Sequence, residues 1–168
     1  YDTPDEVIRN IRHECEGSLR RLKTDYIDLY QFHLLDYPIE QAGEVMSVLE
    51  DLVSEGKIRC YGWSTNDPSR SRFFAQGEHC AAIQFRLNVV EDAPEILQIC
   101  DDFDQAGIIR GPLASGFLTG KYTPENLDDL LARDDFRHRH RNHALAILKR
   151  LAAIQEVLSS DGRTIVEG

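Results

Sequence analysis

Two periodicities take turns along this chain, and their alternation limits its fold more than any other feature. Thr3-Pro4-Asp5-Glu6 reads as a helix start, with Thr3 as cap, Pro4 at the first helical position and Glu6 three residues after the cap. Val7, Ile8, Ile11, Cys15, Leu19 and Leu22 then recur at three and four, which predicts one apolar helix face. Residues 26–33 are rich in aromatic and branched side chains and predict a strand. Ala42, Val45, Met46, Leu49, Leu52 and Val53 mark a second helix closed by Gly56, and residues 57–64 a second strand. Asp67-Pro68 opens a short helix to about Ala75, and residues 81–85 form a third strand. Pro94 opens a helix carrying Ile96, Leu97, Cys100 and Phe103, stopped by Gly107, and residues 108–110 are a fourth strand. A polar stretch from about Thr119 to Asn142 precedes a last helix with Leu145, Leu148, Leu151, Ile154 and Leu158, ended at Gly162.

Helices alternating with strands about every 25–30 residues are the signature of βαβ units and a parallel sheet. A closed eight-stranded α/β barrel takes about 250 residues, and this chain has 168. An open doubly wound sheet fits the length but wants a glycine-rich phosphate loop after a strand, and residues 111–116 are not G-x-G-x-x-G. The fold expected is therefore α/β, an incomplete (β/α)8 barrel of about four consecutive βα units, forming one partial barrel domain over residues 1–168. Four parallel strands in a row leave two open edges, so the chain by itself is expected to be unstable or to self-associate.

With 19 Lys and Arg against 29 Asp and Glu, the net charge is −10. Neither general nucleic-acid binding nor adsorption to anionic membranes suits such a chain, because both need a basic face. No apolar run approaches the roughly 18 residues that span a bilayer, and the start lacks a basic stretch followed by an apolar one, so neither a membrane helix nor a signal peptide is expected. Cys15, Cys60, Cys80 and Cys100 stand far apart with no Cys-x-x-Cys pair, which predicts buried reduced thiols in a cytoplasmic protein rather than disulfides or a zinc site.

Three stretches carry a family resemblance. Residues 19–33 (LRRLKTDYIDLYQFH) resemble the third helix and fourth strand of the aldo-keto reductases, residues 56–65 (GKIRCYGWST) their fifth strand, and residues 110–122 (RGPLASGFLTGKY) their seventh strand and the loop over the cofactor. The resemblance implies a (β/α)8 barrel that reduces aldehydes and ketones with NADPH, without a Rossmann domain, on a small-molecule carbonyl substrate. It identifies His33 as the histidine of the family's Asp, Tyr, Lys and His catalytic set, at a strand end where a ring nitrogen polarises a carbonyl as negative charge develops. The other three belong to earlier βα units in the family, and no Tyr or Lys here stands where the proton donor would; Tyr30 and Tyr61 are expected to pack against helices. The eighth strand and the basic loop for the NADPH 2′-phosphate are likewise not in the sequence. The chain by itself is accordingly expected to be inactive, and the alternative is a non-catalytic binding or regulatory protein on the same barrel.

For the cofactor, Ser64 matches the family serine that bonds the nicotinamide carboxamide, Thr65 stands where many members have Asn, and Gln84 matches the glutamine serving the same amide. Arg110 replaces the aromatic that stacks the nicotinamide in many members; a planar guanidinium stacks as well. Gly111, Pro112, Leu113, Gly116 and Leu118 match the loop that follows, where glycine lets backbone approach the pyrophosphate. His33, Ser64, Gln84 and Arg110 end successive strands in this reading and should gather on one rim. Residues 136–143 (FRHRHRNH) are the one basic patch. They read as a solvated loop or as a loop reaching an anionic cofactor or substrate; no carboxylate or cysteine spacing supports a metal site.

Overall fold

The computed structural model describes residues 3–131 and 135–168; Tyr1 and Asp2 at the start, and Ala132, Arg133 and Asp134 within the polar stretch, lie outside them. Among the described residues helices and strands alternate as α1 (Pro4–Leu22), β1 (Ile27–Phe32), α2 (Ala42–Ser54), β2 (Ile58–Ser64), α3 (Pro68–Phe74), β3 (Cys80–Arg86), α4 (Pro94–Asp102) and β4 (Ala106–Arg110), and two further helices follow, α5 (Leu127–Leu130) and α6 (Arg141–Leu158). Proline sets the first residue of α1, α3 and α4, since its fixed φ suits a position whose N–H has no helical partner. Thr3 and Glu6 close the capping box expected for α1. The Asp67 carboxylate accepts from the Arg70 N–H at 2.8 Å to cap α3.

The strands form one sheet in the order β1-β2-β3-β4, and β1–β2 and β2–β3 are parallel. When sequence order equals spatial order, right-handed crossovers put every connecting helix on the same face. The helices comply: α1 contacts α2, α2 contacts α3, and α3 contacts α4. That face holds the core of the first compact unit, which comprises Tyr1–Phe85 and Ala93–Ile109. Trp63, Tyr61, Phe74, Leu49, Leu52 and Ile83 are fully buried there. Phe32 stacks on Phe74, and Trp63 packs edge-on against Phe74 and tilted against Phe32. Tyr61 packs toward the helices as expected, its ring on Phe74 and its hydroxyl donating to Glu50 of α2 at 2.6 Å.

The second unit, Arg86–Asp92 with Arg110–Gly168, has its own core. Ala114, Phe117, Leu118 and Tyr122 pack there on Ala144, Ile147, Leu148 and Leu151 of α6. Its stretch after β4 is mostly short turns, a 3-10 segment at Ala114–Thr119 and another at Phe136–His140.

Several boundaries differ from the sequence reading. α4 stops at Asp102, and Asp104 (φ 51°) makes the turn, so Gly107 lies inside β4 and does not stop the helix. α6 ends at Leu158, with a separate 3-10 turn to Gly162. Leu22, assigned to the apolar face of α1, is 65% exposed because the helix ends there in a left-handed Lys23. The four cysteines are free thiols; three are buried and Cys60 is half-buried. Among the described residues, no helix is long and apolar enough to cross a membrane.

Candidate active and cofactor site

The face of the sheet away from the helices is read from the pairing. Phe32 pairs with Trp63 and both point to the helices, so Gln31, paired with Gly62, points the other way. On that face Ser64 pairs with Gln84, and Thr65 N–H donates to the Gln84 carbonyl at 2.9 Å. Ser64 and Gln84 thus stand side by side on one face of β2 and β3, about 4.8 Å apart, while His33 lies one residue beyond the last pair of β1. Gln84 stands two residues before the end of β3, not at it as the sequence reading had it, because β3 runs on to Arg86.

A bulge creates this pairing. Tyr61 pairs with Cys80, but Gly62 pairs with Ala82, so β3 carries one extra residue. Without that residue Ser64 would face Ile83, and the polar partner would be replaced by a branched apolar side chain turned from the core. Gly62 is required at the crossing: a Cβ there would lie 2.3 Å from the Ala82 carbonyl oxygen and 2.7 Å from Gln31 Nε2.

Ser64 is fully buried and its hydroxyl has no hydrogen-bond partner among the described residues. A buried hydroxyl without a partner is costly, and here it faces the same side as the Gln84 amide. Thr65 differs. Its hydroxyl donates to the Leu35 carbonyl at 3.2 Å and accepts from the Asp67 N–H at 3.2 Å, so it is committed to the turn between β2 and α3. His33 is exposed and borders a 250 Å³ cavity that it shares with Val7, Ile11 and Glu14 of α1, Leu49 of α2 and Tyr30 and Gln31 of β1.

The second unit carries a cationic cavity of about 460 Å³ whose lining includes Arg86, Glu91, Arg110, Arg137, His140 and His143. Burial lowers the Arg110 pKa, and so does the positive charge of Arg86. Two guanidiniums repelling each other beside one carboxylate leave a positive field suited to an anion. Arg86 Nη1 lies 3.5 Å from Glu91 and 3.2 Å from His143 Nε2. Asn88 donates to Glu91 at 2.8 Å and to the Gly111 carbonyl at 3.2 Å, which fixes the turn after β3 to the loop after β4. That loop has Gly111 at φ 68° and Gly116 at φ 95°, the left-handed region that favours glycine. Pro112 follows Gly111 directly, Leu113 accepts from the Gly116 and Leu118 N–H groups, and the Leu118 side chain is buried. Arg137, His140 and His143 of the basic patch therefore line this cavity. Arg86 and Glu91 were not singled out from sequence, since a lone Arg at a strand end carries no motif.

A sequence profile described as the Aldo/keto reductase family matches residues 4–167. The chain is 40% identical over 131 residues to the aldo-keto reductase YhdN of Bacillus subtilis, covering 74% of this chain and 39% of that protein. It is 36% identical over 118 residues to the NADH-specific methylglyoxal reductase of Escherichia coli, covering 68% of this chain and 36% of the relative. Among solved structures, the glycerol dehydrogenase AKR11B4 from Gluconobacter oxydans superposes with a TM-score of 0.71 at 30% identity, over 94% of this chain and 49% of that one. The chain thus spans less than half the length of these relatives.

Proposed function

The chain belongs to the aldo/keto reductase family and its fold is of the (β/α)8 type, and on that premise we propose that it forms the central and C-terminal part of an NADPH-dependent reductase converting an aldehyde or ketone to an alcohol. The observation that carries this reading is the pairing of Ser64 with Gln84 on the face away from the helices, with a buried Ser64 hydroxyl that has no partner among the described residues. A carboxamide offers both a donor and an acceptor, so a hydroxyl and a primary amide side by side suit it. Ser64 and Gln84 orient the nicotinamide amide, while Thr65, whose hydroxyl is spent on backbone, fixes the turn beneath it. Arg110 supplies the planar group for the ring. Gly111, Pro112, Leu113, Gly116 and Leu118 form the loop for the phosphates, and the cationic cavity beside it fits their charge. When bound, the nicotinamide supplies the hydride. His33 hydrogen-bonds the carbonyl oxygen and stabilises the charge that develops on it. The more highly charged NADPH is the proposed form, and the substrate is a small carbonyl compound.

The test is made on the protein produced from its whole reading frame. NADPH and NADH are titrated by fluorescence, and carbonyl reduction is followed with each. His33→Ala should lower kcat by about a hundredfold or more, on the scale of one lost oxyanion donor, while leaving cofactor Kd nearly unchanged. Ser64→Ala should weaken cofactor binding. An unchanged kcat would remove His33 from the mechanism, and a preference for NADH would overturn the cofactor form.

A further inference from the structure

We propose that Arg137, locked by Asp135, is the positioning residue that holds the loop of residues 111–120 in its cofactor-receiving shape; this rests on the cofactor reading of that loop given above. Three consecutive residues of the loop lie in the left-handed region: Ala114 (φ 46°), Ser115 (φ 57°) and Gly116 (φ 95°). Two of them carry a Cβ, so the shape is unfavourable by itself and persists only where its surroundings over-determine it. Three turn hydrogen bonds help: Ala114 N–H to Gly111, and both Gly116 N–H and Leu118 N–H to Leu113. Ala114, Phe117 and Leu118 pack on α6 and Asn88 bonds the Gly111 carbonyl, and at the centre of the left-handed run Arg137 Nη1 donates to the Ser115 carbonyl at 3.1 Å.

Arg137 is itself held rigidly. Its Nε and Nη2 donate to the Asp135 carboxylate at 3.0 and 2.7 Å, a forked geometry in which both side chains are 21% exposed. Asp135 also accepts from the Arg137 backbone N–H at 2.9 Å, and these bonds hold its carboxyl down at about 2. The guanidinium lies over the rings of Phe117 and Tyr122, 5.8 and 5.4 Å from their centroids. Its charge is therefore answered by Asp135, and an N–H on Nη1 is aimed at the loop backbone. That is the arrangement of a clamp, not of a cation reserved for phosphate.

The two roles predict opposite signs for Asp135→Asn. If Arg137 binds an anion directly, removing the neighbouring carboxylate charge should tighten NADPH. A clamp instead loses its lock, the loop spends less time in the receptive shape, and apparent Kd rises as that fraction falls. In the whole protein, Asp135→Asn, Arg137→Met and Arg137→Lys should each raise Kd for NADPH by about tenfold, the scale of a lost charged hydrogen bond. The double variant Asp135→Asn with Arg137→Met should be no worse than Arg137→Met alone. Amide hydrogen exchange over residues 114–120, measured without cofactor, should quicken in all three, with thermal melts showing that each variant folds. Tighter or unchanged binding in Asp135→Asn, or unchanged exchange, would overturn the clamp. Should the unaltered protein bind neither NADPH nor NADH, the cofactor reading fails, and the exchange comparison alone then decides whether Arg137 orders the loop.

Discussion

Glu50 shows how one carboxylate ties three elements. It accepts from the Tyr61 hydroxyl at 2.6 Å and from the His79 backbone N–H at 3.1 Å, and its other oxygen lies 2.5 Å from His79 Nδ1. Burial pushes its carboxyl up, but the hydrogen bonds from Tyr61 and His79 outweigh that and hold it below the ordinary value of 4.5. A group depressed on folding contributes stability that is fully present above its unfolded pKa and is lost as pH falls through the folded one. Glu50→Gln should therefore melt below the unaltered protein at pH 7, and the gap should close between about pH 5 and pH 3; a gap constant across that range would refute the linkage. None of this was legible in the sequence, where Glu50 and His79 are 29 residues apart and neither stands in a motif. His33, Ser64 and Gln84 were singled out in the sequence because family-like flanking residues mark them, and the structure pairs Ser64 with Gln84. The commitment of Thr65 to backbone was not, since a hydroxyl's partners depend on which turn folds over it.

At the scale of elements, the crossing of β1, β2 and β3 at Gly62 is the most constrained point in the sheet. With backbone at 2.3 Å from a built Cβ, no rotamer change relieves the clash. Gly62→Ala should cost about 1–3 kcal/mol, as overpacking does, and should disturb the pairing of Ser64 with Gln84; denaturant melts and cofactor titration together would show both effects. A melt within 0.5 kcal/mol of the parent would mean that the strands separate at this point without loss. The helix starts were readable in advance, because Thr3-Pro4 and Asp67-Pro68 act through bonds closed within a few residues. The end of α4 was not. Gly107 looked like a stop, but the strand needed it where a Cβ would press on the Phe85 ring at 3.3 Å.

For the whole molecule, charge is the informative quantity. A chain of net charge −10 that gathers Arg86 and Arg110 around one cavity has placed its positive potential against its own average. Screening acts strongly on such a site, with a Debye length of about 10 Å at 0.1 M salt and about 3 Å at 1 M. Kd for NADPH in the intact protein should rise several-fold between 0.05 and 0.5 M salt, measured by fluorescence titration at fixed pH. Salt-independent binding would mean that this cavity does not meet the phosphates.

The sequence by itself determined the alternation of helix and strand, the proline-led helix starts, the acidic balance and the motifs of the family, because all of these are written in residue types and short spacings. Tertiary structure decided the rest. The bulge in β3 that sets Gln84 beside Ser64 follows from burying Trp63 and Ile83 together on the helix face, a choice made between strands and not within one. That Arg137 of the basic patch meets the carbonyl of Ser115, 22 residues earlier, was likewise decided by tertiary structure. Contacts at such separations are selected by packing, and spacing along the chain does not encode them.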